Sequence, residues 1–341
     1  MGYRDYLIKR GLSTIPMLIG LSMLIFTLAR VIPGRPARLA LGPRATDEAV
    51  QQLRNRMGLD DPLWEQYIDY MAGLLHGDMG QSLVSNRNVA TDLVEYFPAT
   101  FELTTLAMII AILVGVPLGV VAGSNKDRWP DNASRLFSFF NVSLPPFWAG
   151  ILLQLVIAFH LGLLPATGRI GDVSPMPVET TGLLLVDSLL AANVDAFVSA
   201  VRHLILPAIT LSLAPTADIA RMTRSSFIEE FDKDYVEGLR THGIPSKLIA
   251  YKYVLRKSFA STLTIIGLDY GFLLGSAFVV EIVFSWPGMA SYGVEAILQK
   301  DINAMVGVTL VVGASFLIVN FVVDVLYGLF DPRVWHGGDS Q

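Results

Sequence analysis

The sequence predicts an all-α integral membrane protein with about six transmembrane helices. Hydrophobic residues make up 52% of the 341 residues and charged residues only 16%. The mean hydropathy is +0.52, which also departs from the averages of soluble proteins. Several uncharged stretches reach about 20 residues, the length at which a helix crosses the hydrocarbon core. The chain has no cysteine and a net charge of −5, which excludes thiolate chemistry and the basic surface of a nucleic-acid-binding protein.

The predicted spans follow from these apolar stretches, two of which contain a carboxylate (Asp218 and Asp269). The spans are Gly11–Ala29, Leu103–Asn125, Leu136–Phe159, Leu204–Ala220, Ser258–Val280 and Ile302–Val323. Thr180–Val201 is apolar as well, but it contains Asp187 and Asp195. Each of these costs roughly 2.5–3.5 kcal/mol at mid-membrane. We therefore predict that this stretch is an external loop with a helix lying along the membrane.

The distribution of Lys and Arg predicts the orientation, because cytoplasmic loops carry an excess of both. With the N-terminus inside, the inner segments carry 15 of these residues and the outer segments 9. The inner segments are 1–10, 124–135, 221–258 and 331–341, and the outer ones are 31–98, 161–203 and 284–303. Both termini are thus predicted to be cytoplasmic, in a plasma or inner membrane.

Four parts are predicted along the chain. They are residues 1–31 with the first span, an external insertion over 32–98, a core with five spans over 99–335, and a cytoplasmic tail over 336–341. Within the insertion, Asp61 is predicted to cap a helix that has Pro62 at its first position. One face of this helix is apolar and consists of Trp64, Tyr67, Ile68, Met71, Leu74 and Leu75. The face indicates either an interfacial helix or one packed on its neighbours, and the sequence leaves both open.

The cytoplasmic loop 225–258 contains the strongest local signals. Asp232 or Asp234 can cap a short helix, and Gly243 stands where that helix should end in the left-handed conformation. Pro245 then supplies a fixed φ at the start of the next helix. The predicted result is a short helix, a sharp turn and a second helix that leads into the fifth span. From the spacing alone, the hairpin is either a rigid lever moved by another protein or a solvated surface feature.

The loop resembles the cytoplasmic "EAA" loop of binding-protein-dependent ABC importer permeases, in the form found in the oligopeptide/dipeptide permease family. The matching residues are Asp234-Tyr235-Val236, Gly243 and Arg256-Lys257. Further segments resemble the same family in order along the chain: Met57–Tyr67, Phe97–Thr104, Leu161–Gly168, Arg202–Leu213, Ile219–Phe227, Phe284–Ile297, Lys300–Leu310 and Asn320–Val334. The chain departs from the family at Arg240–His242, where small residues are usual, and at Val254, Leu255 and Ser258–Thr262, where the usual His and Leu-Pro are absent.

The resemblance implies the fold of a type I ABC importer permease and transport by alternating access. It implies four partners besides the lipid bilayer: a second homologous permease subunit, two cytoplasmic ATPase subunits and an external solute-binding protein. The residues implied to couple to the ATPase are Asp234, Tyr235, Val236, Gly238, Gly243, Ile244 and Pro245. The solute is left open between peptides, nickel complexes and oligosaccharides.

No catalytic, cofactor or metal site is predicted. A phosphate-binding G-x-x-x-x-G-K-[ST] loop is absent from the sequence, so ATP hydrolysis is expected in partner subunits. Carboxylates in or near spans, namely Asp218, Asp269 and Asp324, favour one alternative, a proton-coupled secondary transporter. The resemblance instead implies pore-lining or packing roles for them. Glu102 and Glu281 are expected to cap helix ends near water.

Overall fold

A computed structural model describes residues 3–31, 45–56, 60–171 and 176–330. Helices make up most of this part, as predicted. They are α1 (Tyr3–Val31), α2 (Asp47–Arg56), α3 (Leu63–Leu75), α4 (Val89–Ser124), α5 (Trp129–Ser143), α6 (Pro146–Leu153), α7 (Leu184–Leu190), α8 (Val194–Phe231), α9 (Asp234–Thr241), α10 (Leu255–Val283), α11 (Met289–Gln299) and α12 (Ile302–Phe330). π-Helical segments extend α6 (Gln154–His160) and precede α10 (Ile249–Val254, after a turn at Ser246–Leu248).

Five helices of the described chain are long and apolar enough to cross a membrane. They are α1, α4, α8, α12 and the continuous helix Ser246–Val283 that contains α10. A sixth crossing results if α5 and α6 form one span, which is bent by 101°. The prediction of about six spans is confirmed, and the bend divides the predicted span Leu136–Phe159 into two helices. Pro145 and Pro146 explain the bend, because proline lacks an amide hydrogen and clashes with the preceding turn.

The fourth span is longer than predicted. α8 contains 38 residues, whereas the uncharged stretch suggested only Leu204–Ala220. Its start at Val194 takes in the C-terminal part of the stretch predicted as an external loop, Thr180–Val201, and α7 lies in the rest of that stretch. Asp187 of α7 is 2% exposed and accepts hydrogen bonds from the backbone of Thr180, Thr181 and Gly182. Burial opposes ionisation, but these bonds hold the pKa of Asp187 below its ordinary value.

α4 and α8 form the most extensive helix pair in the described chain. Gly115, Gly119 and Gly123 lie four residues apart on α4 and let the two backbones approach closely. A Cβ added at Gly119 would lie 2.5 Å from Cβ of Thr223, and one at Gly123 would lie 2.8 Å from the ring of Phe227. The three glycines therefore set how closely α8 can pack against α4.

α1 and α3 pack at the periphery. Tyr67 of α3 lies edge-on to Phe26 of α1, with ring centroids 5.3 Å apart. On the same helix, Trp64 is 64% exposed, so the single apolar face predicted for α3 divides between protein contacts and outward-facing residues. The helix also begins at Leu63 with Pro62 as the capping residue and no side-chain cap. The predicted Asp61 cap was therefore wrong, because the preceding proline already sets an extended backbone.

Candidate coupling loop and charged residues of the spans

The short helix predicted for the loop 225–258 is α9. It begins at Asp234, and Lys233 occupies the capping position without a side-chain cap. The predicted cap at Asp232 or Asp234 was wrong: Asp232 instead caps the C-terminus of α8. Asp234 and Glu237 lie in the first turn of α9, where negative charge stabilises the positive end of the helix dipole.

The end of α9 has the geometry that the sequence predicts. Gly243 has a φ of +73°, and its amide donates to the carbonyl of Arg240 at 2.9 Å. The amide of Ile244 donates to the carbonyl of Leu239 at 3.2 Å. These two bonds define a Schellman motif, which closes a helix through a residue with positive φ. Pro245 then caps the turn that starts at Ser246.

A small hydrophobic cluster anchors α9 to the spans. Val236 is 1% exposed and packs with Val120 of α4, Phe227 of α8, and Ile249 and Val254 of the helix leading into α10. The cluster therefore attaches α9 to three long helices at once.

Aromatic rings and cations hold the base of the loop. Nζ of Lys257 lies 3.7 Å from the ring centroid of Tyr235, and the guanidinium of Arg240 lies 4.7 Å from that of Phe231. Burial, together with the negative charge of Glu230, raises the pKa of Tyr235. The tyrosine therefore stays neutral at physiological pH, and its ring remains a cation–π partner for Lys257.

The predicted coupling residues lie at different depths in the structure. Val236 is buried, and Tyr235, Gly238 and Ile244 are half-buried. Asp234, Gly243 and Pro245 are exposed. The loop therefore presents one edge outward and uses the other to attach itself to the spans.

The three carboxylates predicted to line a pore or to pack do not form one cluster. Asp324 accepts from Arg10 at 2.5 Å, which ties α12 to α1. Asp218 forms an ion pair with Arg221 on the next turn of α8. Oδ2 of Asp269 is buried and has no hydrogen-bond partner in the described part of the chain, although Asp218 and Arg221 lie within electrostatic reach.

A buried ion cluster between α5 and α8 was not predicted. Asp131 is 0% exposed and accepts from Arg224 at 2.5 and 2.7 Å and from Arg135 at 2.6 Å. The spacing of four residues between Asp131 and Arg135 is a signal that the sequence contains. The contact with Arg224 spans 93 residues and could not be found without the packing of α5 on α8.

Glu102 and Glu281 cap helix ends, as expected, but they do so away from water. Glu102, 8% exposed, accepts from Arg169 at 2.8 Å and from the amide of Leu185, near the start of α7, at 2.7 Å. Glu281, 0% exposed, accepts from the amide of Ser291, in the first turn of α11, at 2.7 Å. The expectation of a watery setting was wrong, because α7 and α11 fold over these carboxylates.

A solved structure and several curated relatives share this architecture and class. The fold resembles the MetNI methionine ABC transporter, with a TM-score of 0.53 at 14% identity over 70% of this chain and 96% of the other. A dipeptide transport system permease protein of Alkalihalophilus pseudofirmus is 40% identical over 96% of this chain and 98% of its own length. A probable D,D-dipeptide transport system permease protein of Escherichia coli strain K12 is 38% identical over 99% of both. A glutathione transport system permease protein of E. coli strain CFT073 is 34% identical over 97% and 98%.

Two family descriptions cover almost the whole chain. The N-terminal membrane component of binding-protein-dependent transport systems matches residues 3–104. The inner membrane component of the same systems matches residues 115–336. Neither these matches nor the relatives support a proton-coupled transporter. The chain belongs to the binding-protein-dependent transport system inner membrane components and is a permease subunit of an ABC importer.

Proposed function

We propose that this subunit carries dipeptides or closely related short peptides. The observation that supports this most strongly is the 40% identity to a dipeptide permease over 96% of the chain. The D,D-dipeptide and glutathione permeases named above also carry short peptides according to their names. Nickel complexes and oligosaccharides, which the sequence left open, have no counterpart among these relatives.

The subunit works with four partners in this proposal. A second homologous permease subunit shares the solute path, two cytoplasmic ATPase subunits supply the energy, and an external binding protein delivers the solute. The membership in a binding-protein-dependent family supports the last of these. The sequence has no phosphate-binding loop of its own, which supports a separate ATPase.

The coupling surface of this proposal is the outward edge of the α9 loop. Asp234, Gly243 and Pro245 are exposed and available for contact with an ATPase. Val236, with Tyr235 and Ile244 around it, attaches the helix to the spans. An ATPase that moved the loop would thus act on α4, α8 and α10 together.

The orientation proposal keeps both termini cytoplasmic and residues 32–98 external. The excess of Lys and Arg in the inner segments, 15 against 9, supports it. Reporter fusions at Gln341 and within 57–87 test it with cytoplasmic and external reporters. A C-terminus found outside the cell membrane would refute the arrangement of the core over 99–335 and the tail over 336–341.

The carboxylates of the spans take two roles in this proposal. Asp218 and Asp269 both lie within helices and are close enough for their charges to interact. In this proposal, both residues line the solute path. Asp324, paired with Arg10, holds α12 against α1.

Reconstitution tests the proposed function as a whole. The complete complex in proteoliposomes should accumulate radiolabelled alanyl-alanine only when ATP is present on the ATPase side and the binding protein is present on the other. The matched control is the same complex with an ATPase variant that binds but does not hydrolyse ATP. Uptake that persists with this control and follows a proton gradient would refute the proposal.

A further inference from the structure

A cavity of about 510 Å³ is lined by residues of α5 and α8. Its charged groups are three arginines, Arg135, Arg221 and Arg224, and three serines add hydroxyl groups. Phe139 and Val142 give it an apolar wall. The volume lies within the range of roughly 300–1,000 Å³ that small-molecule sites occupy. A lining with only positive charges and an apolar wall fits an anion that is attached to a hydrocarbon chain.

Each of the three arginines keeps a donor nitrogen that the protein does not use. Arg224 and Arg135 both contact Asp131 through Nε and Nη2, and Arg221 contacts Asp218 through Nη2. A guanidinium has five N–H donors, and Nη1 of all three makes no hydrogen bond within the described residues. The carboxylates, which do not line the cavity, therefore hold the guanidinium groups in place and leave donors for a further anion. Phosphate oxygens are strong acceptors for such donors.

The cavity lies where two packed helices change from charged to uncharged sequence. Arg135 directly precedes the uncharged stretch 136–159, and Arg221 directly follows the predicted span on α8. The ion pair between Arg224 and Asp131 holds the two helices together at this height. Uncharged segments occupy the hydrocarbon core, and positively charged residues border them. The arginines therefore lie at the level of the lipid headgroups.

The surface of α5 beside the cavity is apolar and exposed. Phe139, which lines the cavity, is 74% exposed, and Leu136 and Phe140 next to it are exposed as well. On the other side of Arg135, α5 begins at Trp129, which is 80% exposed and of a residue type enriched at membrane–water interfaces. An acyl chain can lie along this apolar surface while its headgroup contacts the arginines. A free phosphate ion has no group that would use the same surface.

We propose that this cavity binds the phosphate of an anionic phospholipid, with Nη1 of Arg135, Arg221 and Arg224 as donors and an acyl chain along Phe139. The inference does not depend on which solute the transporter carries. In the orientation proposed above, the arginines belong to the cytoplasmic segments 124–135 and 221–258. The lipid then comes from the cytoplasmic leaflet, whose anionic lipids attract basic residues.

Native mass spectrometry of the complete transport complex in detergent tests this binding. The probes are phosphatidylglycerol and phosphatidylcholine with identical acyl chains, so that the two lipids differ only in the headgroup. The wild-type complex should bind phosphatidylglycerol more tightly by at least about fivefold, the effect of one cation on an anionic headgroup. Arg221→Gln should lower this ratio by about fivefold, because it removes one cation and one donor group.

Arg256→Gln provides a matched control. Arg256 is exposed, lies two residues before the predicted span that begins at Ser258, and does not line the cavity. The variant removes the same charge at the edge of another uncharged stretch and should keep the wild-type ratio. Ser138→Phe places a bulky ring in the cavity without changing its charge, and it should also abolish the preference for phosphatidylglycerol. This second variant tests the proposal if Arg221→Gln fails to assemble.

Three results would overturn the inference. The first is a lipid ratio that neither Arg221→Gln nor Ser138→Phe changes, and the second is an equal fall in Arg221→Gln and Arg256→Gln. The third is displacement of phosphatidylglycerol from the wild type by an excess of inorganic phosphate, which would assign the cavity to a free ion. Phosphatidylglycerol should also raise the melting temperature of the wild type more than that of Arg221→Gln, because a ligand of the folded state stabilises it. Equal shifts in the two proteins would contradict a site at Arg221.

Discussion

Gly243 provides the sharpest test of the coupling loop. Its φ of +73° lies in the left-handed region, which costs an L-residue with a Cβ about 1–2 kcal/mol. A Cβ built on Gly243 meets nothing within 4 Å, so no steric term adds to this conformational cost. Gly243→Val should therefore disfavour the ordered turn by a factor of roughly 5–30, with no effect on packing inside the membrane.

The expected phenotype is a protein that is present but uncoupled. Membrane abundance should stay near normal, because the loss is small compared with the packing of the long helices. Uptake should fall by up to the same roughly 5–30-fold factor, and less ATPase should co-purify. All three quantities are measured on one membrane preparation.

Gly238 provides a matched control on the same short helix. A Cβ added there would also meet nothing within 4 Å, but Gly238 lies inside α9 with a helical backbone. Gly238→Val should be neutral or slightly stabilising, since glycine is the poorer helix former. Gly243→Asn should retain most of the activity, because asparagine tolerates positive φ. Normal uptake in Gly243→Val, or equal losses in both valine variants, would refute the reasoning.

Three other predictions concern buried charges in the spans and in the helices packed on them. Gly288→Ala should destabilise the protein by about 1–3 kcal/mol, because a Cβ there overlaps the buried carboxylate of Glu281; a melting temperature in detergent equal to that of the wild type would contradict this. Asp131→Asn should lower the free energy of unfolding by about 3 kcal/mol, the low end for breaking a buried ion pair. Asp218→Asn, at a more exposed site, should lower it by about 1 kcal/mol or less. Denaturant titrations compare the two variants, and equal losses of stability would count against the buried cluster. Asp269→Asn should leave uptake insensitive to a collapsed proton gradient while ATP is maintained, and uptake that instead tracks the gradient would favour a proton relay.

Much of this architecture is encoded locally and could be predicted from the sequence. Long uncharged stretches must become helices in a bilayer, because backbone groups have no water to bind there. The turn at Gly243 was predictable for a similar reason, since the signals for it lie within a few residues of one another. The resemblance around Asp234-Tyr235-Val236 then indicated the class of transporter.

Contacts between distant residues required the tertiary structure. The 101° bend between α5 and α6 was not predicted, although Pro145 and Pro146 marked where it would occur, because proline disrupts a helix without setting the new direction. The pairing of Asp131 with Arg224 depends on how closely α8 approaches its neighbours, which the glycines of α4 influence. Burial of Glu281 likewise depends on α11 folding back over it. Composition and periodicity decided which segments are helical, whereas packing decided which charges meet, because a charge in a span is stabilised only by the groups that the fold brings beside it.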